Sequence, residues 1–299
     1  MIVSVQSAVL RDTPVDLLPL RIKKYFFGID CDKLFEIRMR AGKPLCVAGV
    51  DGKQFITHTG RLSSAGEKGV IVSKKDIEEA VEILTSYSLY SYKDQIKNGF
   101  ITAPGGHRVG ICGTMTPDSE FITDVSCLNY RFAREIFSAA DKAVDAVYNN
   151  GQVKSTLIVS APGCGKTTFL RDLIRQISNK GVNISVVDER GELAAVRGGI
   201  PGFDLGFSTD VLDMCDKRIG MKIMLRTMTP SVIAVDEFDV VSDADIISAL
   251  NASGVSVFAT VHTRDWNKDM PASVLSAFKC VVVLSNRKGP GTIEEIIHV

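Results

Sequence analysis

Nine consecutive residues, Ser160-Ala161-Pro162-Gly163-Cys164-Gly165-Lys166-Thr167-Thr168, have the composition of a phosphate-binding turn. The apolar run Thr156-Leu157-Ile158-Val159 before them reads as a short buried parallel strand. After them, Phe169, Leu170, Leu173, Ile174 and Ile177 recur at helical spacing. A strand, a turn of small residues and a helix in that order form a P-loop, in which backbone N–H groups and a helix N-terminus surround a phosphate. Lys166 is placed to reach the β- and γ-phosphates of ATP, and the Thr167 hydroxyl to ligate Mg²⁺. The first glycine of the usual P-loop signature is replaced by Ser160, while Gly163 and Gly165 remain.

Two further strand ends carry polar groups suited to the same chemistry. Val232-Ile233-Ala234-Val235 runs into Asp236-Glu237, seventy residues after Lys166. An apolar strand ending in two carboxylates is the second ATPase signature, Walker B. Asp236 is expected in the Mg²⁺ shell, with Glu237 polarising the attacking water. Ile184-Ser185-Val186-Val187 likewise ends in Asp188-Glu189, and Val255 to Val261 ends in His262. Ligands of open α/β sheets bind at the C-terminal ends of strands, which makes Glu189 a second candidate carboxylate and His262 a candidate phosphate sensor. Asp188 and Glu189 read equally well as caps of the long glycine-containing stretch from Arg190 to Asp216.

Composition limits the alternatives. The 299 residues suffice for two domains, and 45% are apolar, enough for a substantial core. Basic and acidic residues number 35 each; residues 1–150 hold 19 and 18, and the remainder 16 and 17. Neither half has the basic excess of a protein held to nucleic acid mainly by charge, so nucleic acid is an unlikely partner. The seven cysteines are scattered without a C-x-x-C pair, which favours free thiols in a reducing cytosol. Residues 1–20 lack the apolar core of a signal peptide, and no run approaches the ~18 apolar residues of a membrane span.

Residues 1–150 read as a smaller α+β domain. Phe35 to Arg40 and Leu128 to Arg134 alternate as half-buried strands, and Leu45 to Ala48 and His107 to Gly113 also read as strands. Ile77, Ala80, Val81 and Leu84 mark an amphipathic helix that Ser73 can cap. Arg38 and Arg40 share a strand face; Arg108, Arg131 and Arg134 are further candidates for contact with nucleotide phosphate, the alternative being a solvated, carboxylate-paired face. The P-loop contains no arginine, so Arg108, Arg131 and Arg134 are the expected donors to the transition state, in cis or from a neighbouring subunit. Asp141 to Tyr148 reads as a short helix, and the polar Asn149-Asn150-Gly151-Gln152 as the boundary. Residues 151–299 read as a RecA-like α/β core, a mainly parallel sheet with helices on both faces. There, Met221 to Met228 predicts one helix and Ile246 to Leu250 another, with Ser242 as its cap. Val281 to Leu284 and Thr292 to Val299 read as final strands.

Ala259-Thr260-Val261-His262-Thr263 resembles the histidine box, and Asp188-Glu189 the acidic box, of the ATPases that drive type II and type IV secretion. Over nearly its full length the chain is similar to the stage III AA family of sporulation ATPases. Glu36 to Pro44, Gly105 to Gly110, Val187 to Arg190 and Arg287 to Thr292 carry that similarity. The resemblance implies a cytoplasmic, membrane-peripheral ATPase on the mother-cell side of an endospore-forming bacterium. It further implies a homo-hexameric ring using ATP and Mg²⁺ to energise a channel complex of integral membrane proteins between mother cell and forespore. Two readings from other classes use the same motifs: a DNA-dependent RecA-like motor, and a nucleotide-switched scaffold with little turnover. Balanced charge argues against the first, and the presence of Lys166, Asp236 and Glu237 against the second.

Overall fold

The structure, a computed structural model, describes residues 13–116, 121–133, 135–240, 242–263 and 266–299. The chain divides into two compact units, Met1–Arg134 and Glu135–Val299.

The first unit is built on a seven-stranded antiparallel sheet in the order β4-β3-β2-β1-β7-β6-β5. Its strands are β1 (Leu34–Arg40), β2 (Cys46–Gly49), β3 (Gly52–Ile56), β4 (Leu62–Ser63), β5 (Phe100–Ala103), β6 (His107–Thr116) and β7 (Phe121–Arg131). The helices are α1 (Leu20–Lys23), α2 (Lys74–Leu84) and α3 (Lys93–Lys97). Ile37 and Met39 of β1 are fully buried, and the alternate residues Glu36, Arg38 and Arg40 face outward, as the alternation predicts. Ser73 caps α2 as expected: its hydroxyl accepts from the Asp76 N–H at 3.2 Å, and the Asp76 carboxylate accepts from the Ser73 N–H at 2.6 Å. Ile77, Ala80 and Leu84 of α2 are buried in a core shared with Ile22, Ile101, Val109 and Tyr130.

The second unit carries another seven-stranded sheet, ordered β12-β11-β13-β14-β10-β15-β16. Here β10 is Thr156–Ser160, β11 Ile184–Asp188, β12 Thr209–Asp213, β13 Val232–Val235, β14 Ser256–His262, β15 Cys280–Ser285 and β16 Thr292–His298; the short β8 (Tyr148–Asn149) and β9 (Gln152–Val153) pair separately. All pairs are parallel except β15 with β16. The helices are α4 (Asp141–Val147), α5 (Lys166–Ser178), α6 (Lys217–Thr227), α7 (Ala244–Ala252), α8 (Trp266–Asp269) and α9 (Ala272–Leu275). One sheet face packs on α4 and α5 through Phe169, Leu170, Leu173 and Ile174; the other packs on α6 and α7 through Met221, Met224, Ile246 and Leu250. Helices on both faces explain why the central strands are continuous apolar runs rather than alternating ones. This is the RecA-like α/β core that the sequence predicts. Among the described residues, no helix is long and apolar enough to cross a membrane.

Three expectations shift. The units part at residue 134, not 150, because Ala140, Ala143, Val144 and Val147 on and before α4 are buried in the core of the second unit. The stretch from 190 to 216 contains the edge strand β12, whose register pairs Asp188 with Asp213. Asp243, not Ser242, occupies the N-cap position of α7.

Candidate active site

Parallel strands end on the same side of a sheet, so their final residues gather. Four neighbours, β11, β13, β14 and β10, bring Asp188-Glu189, Asp236-Glu237, His262 and the P-loop together. Ser160 and His262 are direct register partners.

Residues 160–168 run from the end of β10 through a turn into the start of α5, the local order the sequence predicts. Gly163 and Gly165 sit at φ of 76° and 86°, in the left-handed region that non-glycine residues rarely adopt. Gly165 is the N-cap of α5 and supplies no side-chain cap, so the first N–H groups of the helix stay directed at the loop. A Cβ at Gly165 would come within 3.1 Å of the Gly291 nitrogen, and the Gly291 N–H donates to the Cys164 carbonyl at 2.8 Å. The glycine-rich turn between β15 and β16 therefore buttresses the P-loop, which accounts for the Arg287 to Thr292 motif. Ser160 ends β10 without a positive φ, so its backbone makes no demand for glycine.

Lys166 is buried and reaches back across the loop. Its ammonium donates to the Ser160 carbonyl and hydroxyl, both at 3.1 Å, and to the Ala161 carbonyl at 3.2 Å. It also meets His262 Nδ1 at 2.7 Å. Burial pulls the Lys166 ammonium below its usual range, and the charges of Asp236 and Glu237 oppose that shift. With Lys166 charged, His262 Nδ1 must accept, which assigns the imidazole proton to Nε2. Nε2 lies 3.4 Å from Glu237 Oε1. A continuous polar chain thus runs from Lys166 through His262 to Glu237.

A second chain starts at Thr167. Its hydroxyl donates to Asp236 Oδ2 at 2.6 Å. The Thr260 hydroxyl donates to Asp236 Oδ1 and accepts from the Glu237 N–H at 2.9 Å. The Thr167 hydroxyl and the Asp236 carboxylate are hard oxygen donors of the kind Mg²⁺ prefers, and their juxtaposition fits that ion.

The acidic end of β11 divides its work. Asp188 is buried and accepts from the N–H groups of Glu192 at 2.9 Å, Leu193 at 3.0 Å and Ala194 at 2.8 Å. Arg171 of α5 donates to the Leu193 and Glu192 carbonyls at 2.9 and 2.6 Å and stacks on Phe203 at 3.8 Å. Asp188 therefore secures the long connection, while Glu189 stays at the site, 3.4 Å from Lys217 Nζ. Burial raises Asp188 above the usual carboxylate range despite its backbone donors. Its register partner Asp213 is pushed up to about 6, first by burial and then by the charge of Asp188.

Sequence reasoning missed Lys217, Arg190 and the role of Thr260. Lys217 opens α6 and donates to the Glu237 carbonyl at 2.5 Å. A cation in the first turn of a helix opposes the macrodipole. That mismatch was the available signal that carboxylates elsewhere hold it. Arg190 Nη1 lies 2.5 Å from Glu237 Oε2.

In the first unit, Glu36, Arg131 and Arg108 form one cross-strand row on β1, β7 and β6. Arg38 binds Glu36 at 2.7 and 3.0 Å and holds its carboxyl below the usual range. Arg108 lies over the Phe100 ring at 4.3 Å, and Arg131 is exposed. Arg134 lies outside the described residues. His107 is buried and its Nδ1 accepts from the Ala133 N–H at 2.9 Å.

The mainly parallel sheet with helices on both faces is a RecA-like fold. Similar solved structures are the pilus retraction motor PilT bound to ADP and the Legionella pneumophila ATPase DotB. PilT has a TM-score of 0.57 at 15% identity, covering 88% of this chain and 76% of that one. DotB has a TM-score of 0.53 at 14% identity, covering 89% and 76%. The chain belongs to the family described as sporulation stage III, protein AA, which it matches over residues 11–298. It is 34% identical over 277 residues to stage III sporulation protein AA of Bacillus subtilis (strain 168), covering 87% of this chain and 85% of that protein.

Proposed function

We propose that the chain is a Mg²⁺-dependent ATPase whose turnover energises a secretion-like channel complex between mother cell and forespore during endospore formation. The observation that carries this reading is the pair of polar chains that meet at Walker B, Lys166–His262–Glu237 and Thr167–Asp236. They hold, in one place, a cation for phosphate, oxygen donors for Mg²⁺ and a carboxylate for water.

In this reading, residues Ser160 to Thr168 cradle the phosphates, and Lys166 leaves its carbonyl partners for the β- and γ-phosphates. Thr167 and Asp236 would hold Mg²⁺, which would offset the negative charge on those phosphates. Glu237 orients the attacking water, with Glu189 as the reserve carboxylate. His262, holding its proton on Nε2, passes the state of Lys166 to Glu237. Arg108 or Arg131, with Arg134 as a further donor, completes the transition state in cis or from the next subunit of a homo-hexamer. The protein then works in the cytoplasm on the mother-cell side, bound peripherally to integral membrane proteins. Membership of the sporulation family supports the process; the site supports the chemistry.

The test is phosphate release from ATP by the purified chain, with and without Mg²⁺. Turnover that requires Mg²⁺ supports the proposal. No release above background across a range of protein concentrations contradicts it.

A further inference from the structure

Arg190 belongs to neither the P-loop nor Walker B, yet its guanidinium meets the carboxylate assigned to orient water. Nη1 lies 2.5 Å from Glu237 Oε2, while His262 Nε2 faces Oε1 at 3.4 Å. Both oxygens of Glu237 are therefore engaged, one by a residue from the end of β11 and the other by a residue from the end of β14.

The Glu237 backbone is fixed more firmly than this ion pair. Its φ of 51° lies in the left-handed region, which is unfavourable for a non-glycine residue. The conformation is held by bonds from its N–H to Thr260 Oγ1 at 2.9 Å and Asp236 Oδ1 at 3.1 Å, and from Lys217 to its carbonyl at 2.5 Å. A change of partner at this carboxylate must come from side chains. Arg190 is the more exposed party, with its side chain 60% exposed, and an ion pair of that kind holds its arginine only weakly. A terminal phosphate carries up to about two negative charges and three acceptor oxygens, and a guanidinium binds such a group bidentately. It outcompetes one half-buried carboxylate.

We infer that Arg190 is a switch residue for the terminal phosphate of a nucleoside triphosphate: it pairs with Glu237 and transfers to the γ-phosphate when a triphosphate binds, which frees Glu237 to orient water. The guanidinium would thus couple the arrival of a triphosphate, and not of a diphosphate, to exposure of the carboxylate. Arg190 acts on water through Glu237 and is a positioning residue. The inference rests on the nucleotide-site reading given above.

The experiment compares equilibrium binding of Mg-ADP and of a non-hydrolysable Mg-ATP analogue to the full chain. The proteins are wild type, Arg190→Ala, Arg190→Lys, Glu237→Gln and the Arg190→Ala/Glu237→Gln double variant. Arg190→Ala is expected to weaken the triphosphate analogue about tenfold while leaving ADP within about twofold, as loss of a charged hydrogen bond predicts. Arg190→Lys should recover part of the difference. Glu237→Gln should tighten the triphosphate analogue, and that gain should shrink in the Arg190→Ala background, since the two side chains compete for one partner. Equal shifts for both nucleotides in Arg190→Ala overturn the switch, as does an equal effect of Glu237→Gln with and without Arg190. Wild-type protein that binds neither nucleotide overturns the switch together with the reading beneath it; intact ADP binding with unchanged discrimination overturns the switch alone.

Discussion

Both units rest on seven-stranded sheets, yet they present polar groups in opposite ways. In the second unit the groups sit at the ends of four adjacent parallel strands and bond to one another, as the Lys166–His262 and Thr167–Asp236 contacts show. In the first they stand within strands, where Glu36, Arg131 and Arg108 make a row across three antiparallel neighbours. Parallel strands all finish on one side, so their ends alone can build a site while the strands stay apolar. Antiparallel strands finish on alternate sides, so a cluster of charge must lie across an open face. The parallel arrangement gathers polar groups at one edge of its sheet; the antiparallel one spreads charge across a face. ATP binding should therefore depend on the second unit, and the first should matter for turnover.

The largest effect expected is that of Lys166→Ala. It removes the P-loop cation and leaves His262 Nδ1 without its donor, so ATP turnover should fall by about 10³-fold with binding weakened to match. Binding and rate at the wild-type level would move the phosphate site away from the second unit. Glu237→Gln comes next, with nucleotide binding retained and hydrolysis slower by about 10²-fold or more in a single-turnover assay. An unchanged rate would shift the catalytic carboxylate to Glu189, which already lies 3.4 Å from Lys217.

Two smaller effects test the scaffold that brings the strand ends together. A Cβ at Gly220 of α6 would come within 2.4 Å of Val187 Cγ1 on β11. Val187 is a buried, β-branched strand residue with no room to turn. Gly220→Ala should cost about 1–2 kcal/mol in denaturant melts, overpacking exceeding the gain in helix propensity. A stabilised variant would show that α6 does not press on the sheet. Asp213 titrates at about 6 in the folded chain, above the ordinary carboxylate value. Between about pH 4 and 6 the unfolded chain loses this proton first, so the contribution of Asp213 to stability falls as pH rises through that window. Asp213→Asn should flatten the slope and stabilise the protein at pH 7 by about 1 kcal/mol after allowance for solvent screening. Parallel stability curves for the two proteins from pH 4 to 7 would refute this.

What the sequence disclosed follows the same contrast. The P-loop, Asp236-Glu237 and His262 each close a run of apolar residues, so local pattern marks both the strand and its end. The strand β12 escaped because it lies at an edge: Thr209, Val211 and Leu212 are only half-buried, and Asp210 and Asp213 break the apolar run. The boundary near residue 150 was drawn from a polar turn, and the structure does have β8 and β9 meeting there. The short helix α4 was legible, but nothing local says which core will bury it. Arg190 and Lys217 gained meaning only through partners 47 and 20 residues away, and such pairings follow from strand order rather than from spacing.

We propose that the second unit holds ATP and that arginines of the first are needed to turn it over. This proposal is tested most directly by measuring ADP affinity and steady-state ATP hydrolysis of the Arg108→Ala/Arg131→Ala/Arg134→Ala protein, across protein concentrations with molecular mass determined alongside. ADP affinity should stay within about twofold of wild type and turnover should fall by about 10³-fold or more, the range expected when a transition-state arginine is lost. Wild-type turnover in the triple variant would contradict it.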